Sequence, residues 1–547
     1  MKMRPYQQEA VDGVFAAWRE ARSALVVLPT GCGKTVVFAE IARRVCKDDK
    51  KRVMVLAHRE ELVFQAKEKI HAVTGLDAHV EMGEYKADTG LFGASPVVVS
   101  TVQTHTAGGD GGGRMTKFNP EDFGLLIIDE AHHATAGSYK RCIDWYMRNP
   151  EMKMLGVTAT PDRADEEALG QVFDVVAYDY EVMDAIRAGW LVPVSQQMVS
   201  VGHLDLSQVR TTAGDLNAGD LAKVLNDEQT LHEIAYPTID ICGDRRALVF
   251  AATVDQAERL CEIFNRHKPG CAGWLCGKTD KDERKKTLAA FKEGNLRFVC
   301  NVGVLTEGFD DDGVEVVVMA RPTKSRSLYA QMAGRGTRPH SSVARGLGQM
   351  ASDEERRIAI QTSPKPGCLI IDFCGNAGRH KLCCTADILG GNYTDEEVAM
   401  ASLKARECGK PVEMADALDD ARKELVEKRL REAAKRAAIV CRAKYTAKNV
   451  NPFDVFDMTP TIERGWDKGR HLTEKQSQLL EKNGISTDGL SYTQGRQLLS
   501  ELFRRWDSKL PTFKQQRVLN TAGFVAPLRP SETKKVMDKL AQKWGTK

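Results

Sequence analysis

Lys34 and Thr35 close the octet LPTGCGKT, Leu28 to Thr35, which follows the apolar run ALVV and precedes VVFAEIARRV. A strand, a glycine-containing loop and a helix start in that order aim consecutive backbone amides at one point, and the helix dipole there favours an anion. The arrangement suits the phosphates of ATP. Pro29, Thr30, Gly31, Cys32 and Gly33 wrap them, the Lys34 ammonium reaches the β- and γ-phosphates, and the Thr35 hydroxyl ligates Mg²⁺. Leu28 stands where the full G-x-x-x-x-G-K-[ST] pattern has its first glycine. A second run, LLIIDEAHH from Leu125 to His133, ends an apolar strand in two carboxylates. Asp129 is then placed to hold the Mg²⁺ hydration shell and Glu130 to polarise the attacking water. In QMAGRGTRP, Gln331 to Pro339, Arg335 and Arg338 stand three apart. On a helix both guanidinium groups point the same way, and two fixed cations there stabilise the charge that spreads during phosphoryl transfer.

These groups need a rigid frame. From Ser23 to Val194 short Val/Ile/Leu-rich runs alternate with longer helical patterns: ALVVL at 24–28, VMVL at 53–56, VVVS at 97–100, LLIID at 125–129 and MLGVT at 154–158. Apolar runs separated by amphipathic stretches are what a parallel, doubly wound sheet produces. A second set follows in ALVF at 247–250, FVCNV at 298–302, VEVVVMA at 314–320 and CLIIDF at 368–373. The pattern predicts two tandem α/β P-loop-type domains at 1–195 and 241–378, joined by a connector at 196–240 where the strand signal is weak. AGGDGGG at 107–113 reads as a loop, because so much glycine carries a high backbone entropy cost in regular structure.

Beyond residue 378 the chain turns α-helical. A basic helical region is expected at 379–460. Within it, from Ala421 to Val450, the lysines and arginines face only Glu424, Glu427 and Glu432 in a sequence of high helix propensity. A solvated surface helix, a phosphate-backbone contact and a coupling strut all fit this stretch. A tandem repeat occupies 461–547: TEKQSQLLEKNGI from Thr473 matches TFKQQRVLNTAGF from Thr512, and each copy later reaches a tryptophan, Trp506 or Trp544. Thr473 with Gln476 and Thr512 with Gln515 form capping boxes, and Gly484 and Gly523 suit the left-handed position after each helix. Second helices carry Arg496, Arg504 and Arg505, or Lys534, Lys535, Lys539 and Lys543, so the tail reads as two basic helical hairpins that bind DNA or a protein partner. Trp466, Trp506 and Trp544 are either stacking groups for bases or core residues.

The ordered set RPYQQ (4–8), LPTGCGKT (28–35), AHREEL (57–62), STVQT (100–104), DEAHH (129–133), TATP (158–161), VFAAT (249–253), NVGVLTEGFD (301–310) and QMAGRGTRP (331–339) resembles superfamily 2 helicases with a DEAH-type second motif. Over about residues 1–380 it is similar to RadD-type DNA repair ATPases and to restriction-enzyme translocase (Res) subunits. The resemblance implies RecA-like domains and a nucleic-acid-stimulated ATPase. It makes Lys34, Glu130, Gln331, Arg335 and Arg338 catalytic, places Arg4 and Gln7 at the adenine and Asp310 at the ribose or phosphate side, and gives His132, Thr158 and Thr160 a coupling role. It sets Arg59, Thr101, Thr253 and Thr306 along a DNA strand that crosses both domains. The zinc module of RadD-type proteins has no counterpart in this sequence.

Bulk properties narrow the rest. At 547 residues the chain exceeds one hydrophobic core. The net charge of +3 does not mark a polyanion binder by itself. No apolar stretch approaches the roughly 20 residues that span a bilayer, and Met1 to Gln8 lack the layout of a secretory signal. A cytoplasmic protein of a bacterial or phage-infected cell is expected, with no membrane partner. The 14 cysteines include no C-x-x-C pair, so reduced thiols are expected and zinc is not. The cofactors read from the sequence are ATP and Mg²⁺. The partners are single-stranded, forked or branched DNA in repair, recombination or replication, with RNA the open alternative and a protein partner for the repeats. No nuclease constellation is present, which leaves a restriction translocase served by a separate nuclease chain as a further alternative.

Overall fold

The structure, a computed structural model, describes residues 3–87, 94–108, 113–159, 168–212, 214–377, 382–389, 391, 393–440, 451–463, 465–524, 528 and 530–544, with the backbone alone at 433–440, 530, 531 and 540–544. Thr160 and most of the glycine tract at 107–113 fall outside the described residues. The chain divides into two compact units, one of Met1–Asp162 with Gln171–Glu427, the other of Arg163–Gly170 with Lys428–Lys547.

Two parallel sheets make the first unit. The apolar runs of the first domain become β1 Ser23–Val27, β2 Arg52–Ala57, β3 Ala78–Glu81, β4 Val97–Thr101, β5 Phe123–Asp129, β6 Lys153–Thr158 and β7 Val175–Asp179. They lie in the order β3-β4-β2-β5-β6-β1-β7, every pair parallel. Every residue of β1 and β4 is buried, which is why these strands read as unbroken apolar runs and not as alternations. Register then positions chemistry: Val27 pairs with Thr158, and Asp129 with Val157. The loop after β1, the carboxylates after β5 and Thr158 therefore leave the sheet together at the carboxyl ends of the strands, where open α/β sheets bind ligands.

The second sheet is built from β8 Val194–Asp205, β11 Ala247–Phe250, β12 Ala272–Leu275, β13 Phe298–Asn301, β14 Val316–Met319, β15 Cys368–Asn376 and β16 Val412–Glu413, in the order β12-β13-β11-β14-β15-β8-β16. Only β16 runs antiparallel to its neighbour among these described strands. A ribbon of β9 Thr211–Thr212 and β10 Asp215–Leu216 stands apart from both sheets. Alternate residues feed opposite faces: Val317 and Ile370 join the apolar cluster shared with the first domain, whereas Val318 and Ile371 pack on the other side.

In its secondary-structure elements the structure differs from the sequence reading at two places. Residues 196–240, expected to be a connector, begin inside β8, which pairs with β15 from Val194 and Cys368 through Ser200 and Cys374. Helices Ala218–Leu225 and Glu228–Cys242 follow it. Polar residues at buried strand positions hid this strand: Gln196 is fully buried and its amide donates to the Asp372 carboxylate. The second difference concerns the arginine pair. The helix Arg326–Ala333 ends at Gly334, so Arg335 and Arg338 sit on the turn beyond it and not on a helix face. Gly336 and Pro339 disfavour a further helical turn.

Along the helix Met414–Val440 the first turns bury Met414, Leu418 and Ala421, while Val426 and Leu430 are exposed. Its start is thus part of the core of the first unit. In the second unit the repeat is realised as helices Glu474–Lys482, Tyr492–Asp507, Phe513–Thr521 and Pro530–Trp544. Both capping boxes form, Thr473 with Gln476 and Thr512 with Gln515, and Gly484 and Gly523 take φ of 88° and 91°. Matching residues Leu480 and Leu519 are fully buried. Ser491 and Gln494 form one more such box, which the repeat comparison does not reveal. Arg505, counted in the sequence among the basic surface of the tail, is instead interior. Its guanidinium donates to Glu501 at 2.7 Å, to the Pro511 carbonyl at 2.8 Å and to Gln516 at 3.2 Å, tying the first copy to the second. Trp466 is buried and Trp506 is 42% exposed.

Candidate nucleotide site

A cavity of about 580 Å³ opens between the two α/β domains. The helix Lys34–Arg44 begins at its floor. Pro29, Thr30, Gly31, Gly33, Lys34 and Thr35 line it from the first domain with Asp129 and Glu130, and Asp310, Arg335 and Arg338 line it from the second. Residues more than 300 positions apart in sequence thus share one pocket of the size that holds a small ligand. Gly334 makes the approach possible: a Cβ there would stand 2.7 Å from Cβ of Thr30.

Within the pocket Lys34 Nζ lies 3.3 Å from Glu130 Oε1, both side chains largely buried. Glu130 Oε2 is buried with no hydrogen-bond partner. Glu130 also holds φ of 50°, a conformation rare for a residue with a side chain and a sign of local strain. Burial first, and the Glu130 charge second, raise Asp129 to about 7, with Lys34 opposing both. An oxygen donor set of Thr35 and Asp129, beside an orphaned carboxylate oxygen, fits Mg²⁺.

Arg335 is engaged elsewhere. It donates to the Thr306 carbonyl at 3.2 and 2.7 Å and to the Phe309 carbonyl at 2.5 Å, and burial lowers it to about 10. Arg338 pairs with Asp310. A polar chain crosses between the domains nearby: His132 Nδ1 is 3.3 Å from the Thr158 hydroxyl, and its Nε2 is 3.4 Å from Gln331 Nε2. Burial holds His132 down at about 4.

The first helix, Pro5–Ala17, braces the loop from behind. Gln7 Nε2 and the Tyr6 hydroxyl both donate to the Cys32 carbonyl at 2.9 Å, and Gln7 Oε1 accepts from the Arg4 amide at 3.0 Å. Gln7, expected at the adenine, lines the cavity, and its amide is engaged by the loop. Cys32 is fully buried beneath the pocket, not on its wall. Arg4 reaches the wall with its guanidinium 4.8 Å from the Trp190 ring centroid. Tyr6, Tyr180 and Trp190 form an aromatic support that motif reading missed. The tyrosine in RPYQQ was its only visible signal.

The four residues expected along a nucleic-acid strand turn inward. Thr101 caps the helix Val102–Thr106, and Thr253 caps the helix Val254–His267 while donating to Asn226 at 3.1 Å. Thr306 is buried and donates to the Gly303 carbonyl at 3.2 Å. Arg59 crosses the cleft, donating to Gly303 at 2.9 Å and pairing with Glu307 at 3.2 Å. Glu307 had escaped the sequence reading. Burial pushes its carboxyl up, but His133 and the Arg59 guanidinium outweigh that and hold it at about 2.

Residues 1–163 match the family described as "Type III restriction enzyme, res subunit", and residues 230–340 match "Helicase conserved C-terminal domain". Similar proteins include "Putative ATP-dependent helicase IRC3" of Saccharomyces cerevisiae, 31% identical over 388 residues, 68% of this chain and 51% of the relative. "Putative mitochondrial ATP-dependent helicase irc3" of Schizosaccharomyces pombe is 29% identical over 391 residues, 70% of this chain and 59% of the relative. "Putative DNA 3'-5' helicase Rad25" of Halobacterium salinarum is 28% identical over 367 residues, 65% of this chain and 55% of the relative. The chain spans between half and three-fifths of the length of these relatives. With two parallel α/β domains, a shared cleft and both family matches in the expected order, this chain belongs to the superfamily 2 helicases and is related to restriction-enzyme subunits.

Proposed function

We propose that this chain is an ATP-driven DNA helicase or translocase whose two domains close on ATP and open after hydrolysis. One observation carries the reading: Lys34, Asp129 and Glu130 share a cavity with Arg335 and Arg338 of the other domain. Thr35 and Asp129 would hold Mg²⁺, which would supply positive charge at the phosphates. Lys34 exchanges Glu130 for the β- and γ-phosphates, which frees Glu130 to take a proton from the attacking water. Arg335 leaves the Thr306 and Phe309 carbonyls, and Arg338 leaves Asp310, to meet the charge that develops on the transferred group. The path through Thr158, His132 and Gln331 carries this change to the strand-facing side. Thr160, outside the described residues, is assigned the same coupling role.

For the strand, Thr101 and Thr253 act by setting helix starts whose free amides meet phosphates, since their hydroxyls are already used. Arg59 and Thr306 stand where the domains meet and move with the cycle. DNA is preferred over RNA because the motifs AHREEL and QMAGRGTRP lie nearer to DNA-directed relatives, one of which is named a DNA 3'-5' helicase. The paired hairpins of 461–547 select the substrate or a partner. Steady-state ATPase and strand-displacement assays over matched DNA and RNA single strands, duplexes, forks and four-way junctions test the reading, with Lys34→Ala and Glu130→Gln as controls. DNA-stimulated turnover lost in both controls is expected, and better stimulation by RNA would overturn the DNA assignment.

A further inference from the structure

His132 and His133 lie on the short turn Ala131–His133 that follows β5, and Glu307 lies in the loop after β13 of the other domain. One ligand atom from each of these three residues lies within 4.8 Å of the other two, and no other group of His, Cys, Asp and Glu among the described residues meets that condition. One of the atoms wants a partner. His133 Nε2 is buried without a hydrogen bond, and the Glu307 side chain, 6% exposed, turns Oε1 towards it while Oε2 is held by Arg59. Arg59 balances the Glu307 charge at 3.2 Å while the Oε1 oxygen stands 3.9 Å from His133 Nε2. The His58 ring stacks on His133 at 4.4 Å between centroids and fixes its plane.

The donor set decides the ion. Two imidazoles and one carboxylate suit zinc, cobalt or nickel, whereas Mg²⁺ prefers a shell of oxygens. Zinc–nitrogen bonds of about 2.0–2.1 Å put neighbouring donors on a tetrahedral ion roughly 3.3 Å apart. To reach that spacing His132 must leave Thr158 or Gln331, which its two ring nitrogens face at 3.3 and 3.4 Å.

We propose that His132, His133 and Glu307 bind a divalent transition ion of the zinc class, which staples the first domain to the second and arrests the cycle in the arrangement that brings these three side chains together. The site is separate from Thr35 and Asp129, and it is an inhibitory site, not a resident cofactor. Binding stands on the side-chain geometry alone. Arrest of turnover rests on the ATPase reading above.

Cobalt(II) titration of the full chain, followed by its visible absorption and by equilibrium dialysis, tests binding. One ion per chain with weak visible bands and no thiolate-to-cobalt band is expected. His133→Ala, and separately His133→Gln and Glu307→Gln, should weaken it by at least about 10-fold, with circular dichroism showing that each variant is folded. In parallel, zinc added to the ATPase assay should inhibit the parent chain, and the half-inhibiting concentration should rise by about 10-fold in His133→Gln when each protein is scaled to its own metal-free rate. Unchanged cobalt affinity in folded variants, or a thiolate band, overturns the site. A cobalt site lost in the variants alongside zinc-insensitive turnover overturns the staple. A chain that hydrolyses no ATP at all sinks the ATPase reading while the cobalt titration still decides the site.

Discussion

On the first domain's side of the cleft Lys34 and Glu130 already face each other across 3.3 Å at the carboxyl edge of a sheet, with His132 Nδ1 3.6 Å from the other Glu130 oxygen. On the second domain's side Arg335 is spent on two carbonyls of its own domain and Arg338 on Asp310. The first half is therefore held ready by the fold, and the second is held in reserve by local partners. The difference lies in backbone support. Lys34 opens a helix directly behind an inner strand, whereas the arginines occupy a turn after a helix has ended. A residue on a turn can change partners at little cost to the sheet that carries it. Such an arrangement suits a cycle in which one half waits and the other arrives.

The sharpest way to break this contrast is to remove one cation from each side. Arg335→Ala and Lys34→Ala should each lower nucleic-acid-stimulated turnover by roughly 10³-fold. Their stabilities should part company. Arg335→Ala leaves buried carbonyls without a donor and should cost about 1–3 kcal/mol in denaturant unfolding, while Lys34→Ala leaves the Glu130 carboxylate buried without its cation and should cost more, about 3–5 kcal/mol. Equal losses of stability would remove the distinction between a ready half and a reserved one.

Glu130→Gln comes next. The strained, partner-poor carboxylate should matter for turnover and not for binding. A fall of about 10²–10⁴-fold in kcat is expected with nucleotide affinity kept, checked by single-turnover kinetics and by a fluorescent ATP analogue. Weakened binding without a fall in kcat would assign Glu130 to the ground state.

Asp129 adds a pH signature to the ready half. Burial and the adjacent Glu130 charge push its carboxyl up to about 7, and a protonated carboxyl attracts Mg²⁺ poorly. The sign follows: kcat/KM should rise as pH rises through about 7, and higher Mg²⁺ should move the midpoint down because binding displaces the proton. A profile flat between pH 6 and 8, read at fixed free Mg²⁺ (roughly one unit either side of that midpoint), speaks against a buried, proton-holding Asp129.

The smallest effects are expected in the second unit. Thr473→Ala and Thr512→Ala each remove a capping box, and each should cost about 1 kcal/mol in thermal or denaturant unfolding. Basal ATPase should not change. A fall in basal turnover would show that the hairpins support the cleft directly.

Legibility in the sequence followed the range of the interaction. Lys34, Thr35, Asp129 and Glu130 are each set by a strand end and the residues just beside it, so their types and spacing announced them. The repeat was legible for the same reason: a threonine, a glutamine and a glycine within one helix length dictate where that helix starts and stops. Strand β8 was hidden because Gln196, whose amide nitrogen donates to Asp372 far along the chain, breaks the apolar run. Arg505 looked like surface charge because Glu501, Pro511 and Gln516 gather around it only after folding.

By itself the sequence determined the two parallel-sheet domains, the glycine-containing loop after β1, the carboxylate pair and the capped hairpins, all governed by local pattern and by burial along one strand or helix. Only the tertiary structure decided that Arg335 rests on Thr306 and Phe309, that Gln7 serves the Cys32 carbonyl, and that Glu307 meets His133 across the cleft. Those contacts join segments separated by tens to hundreds of residues. Nothing in residue type or spacing fixes which buried polar group will find which partner until the chain has closed around both.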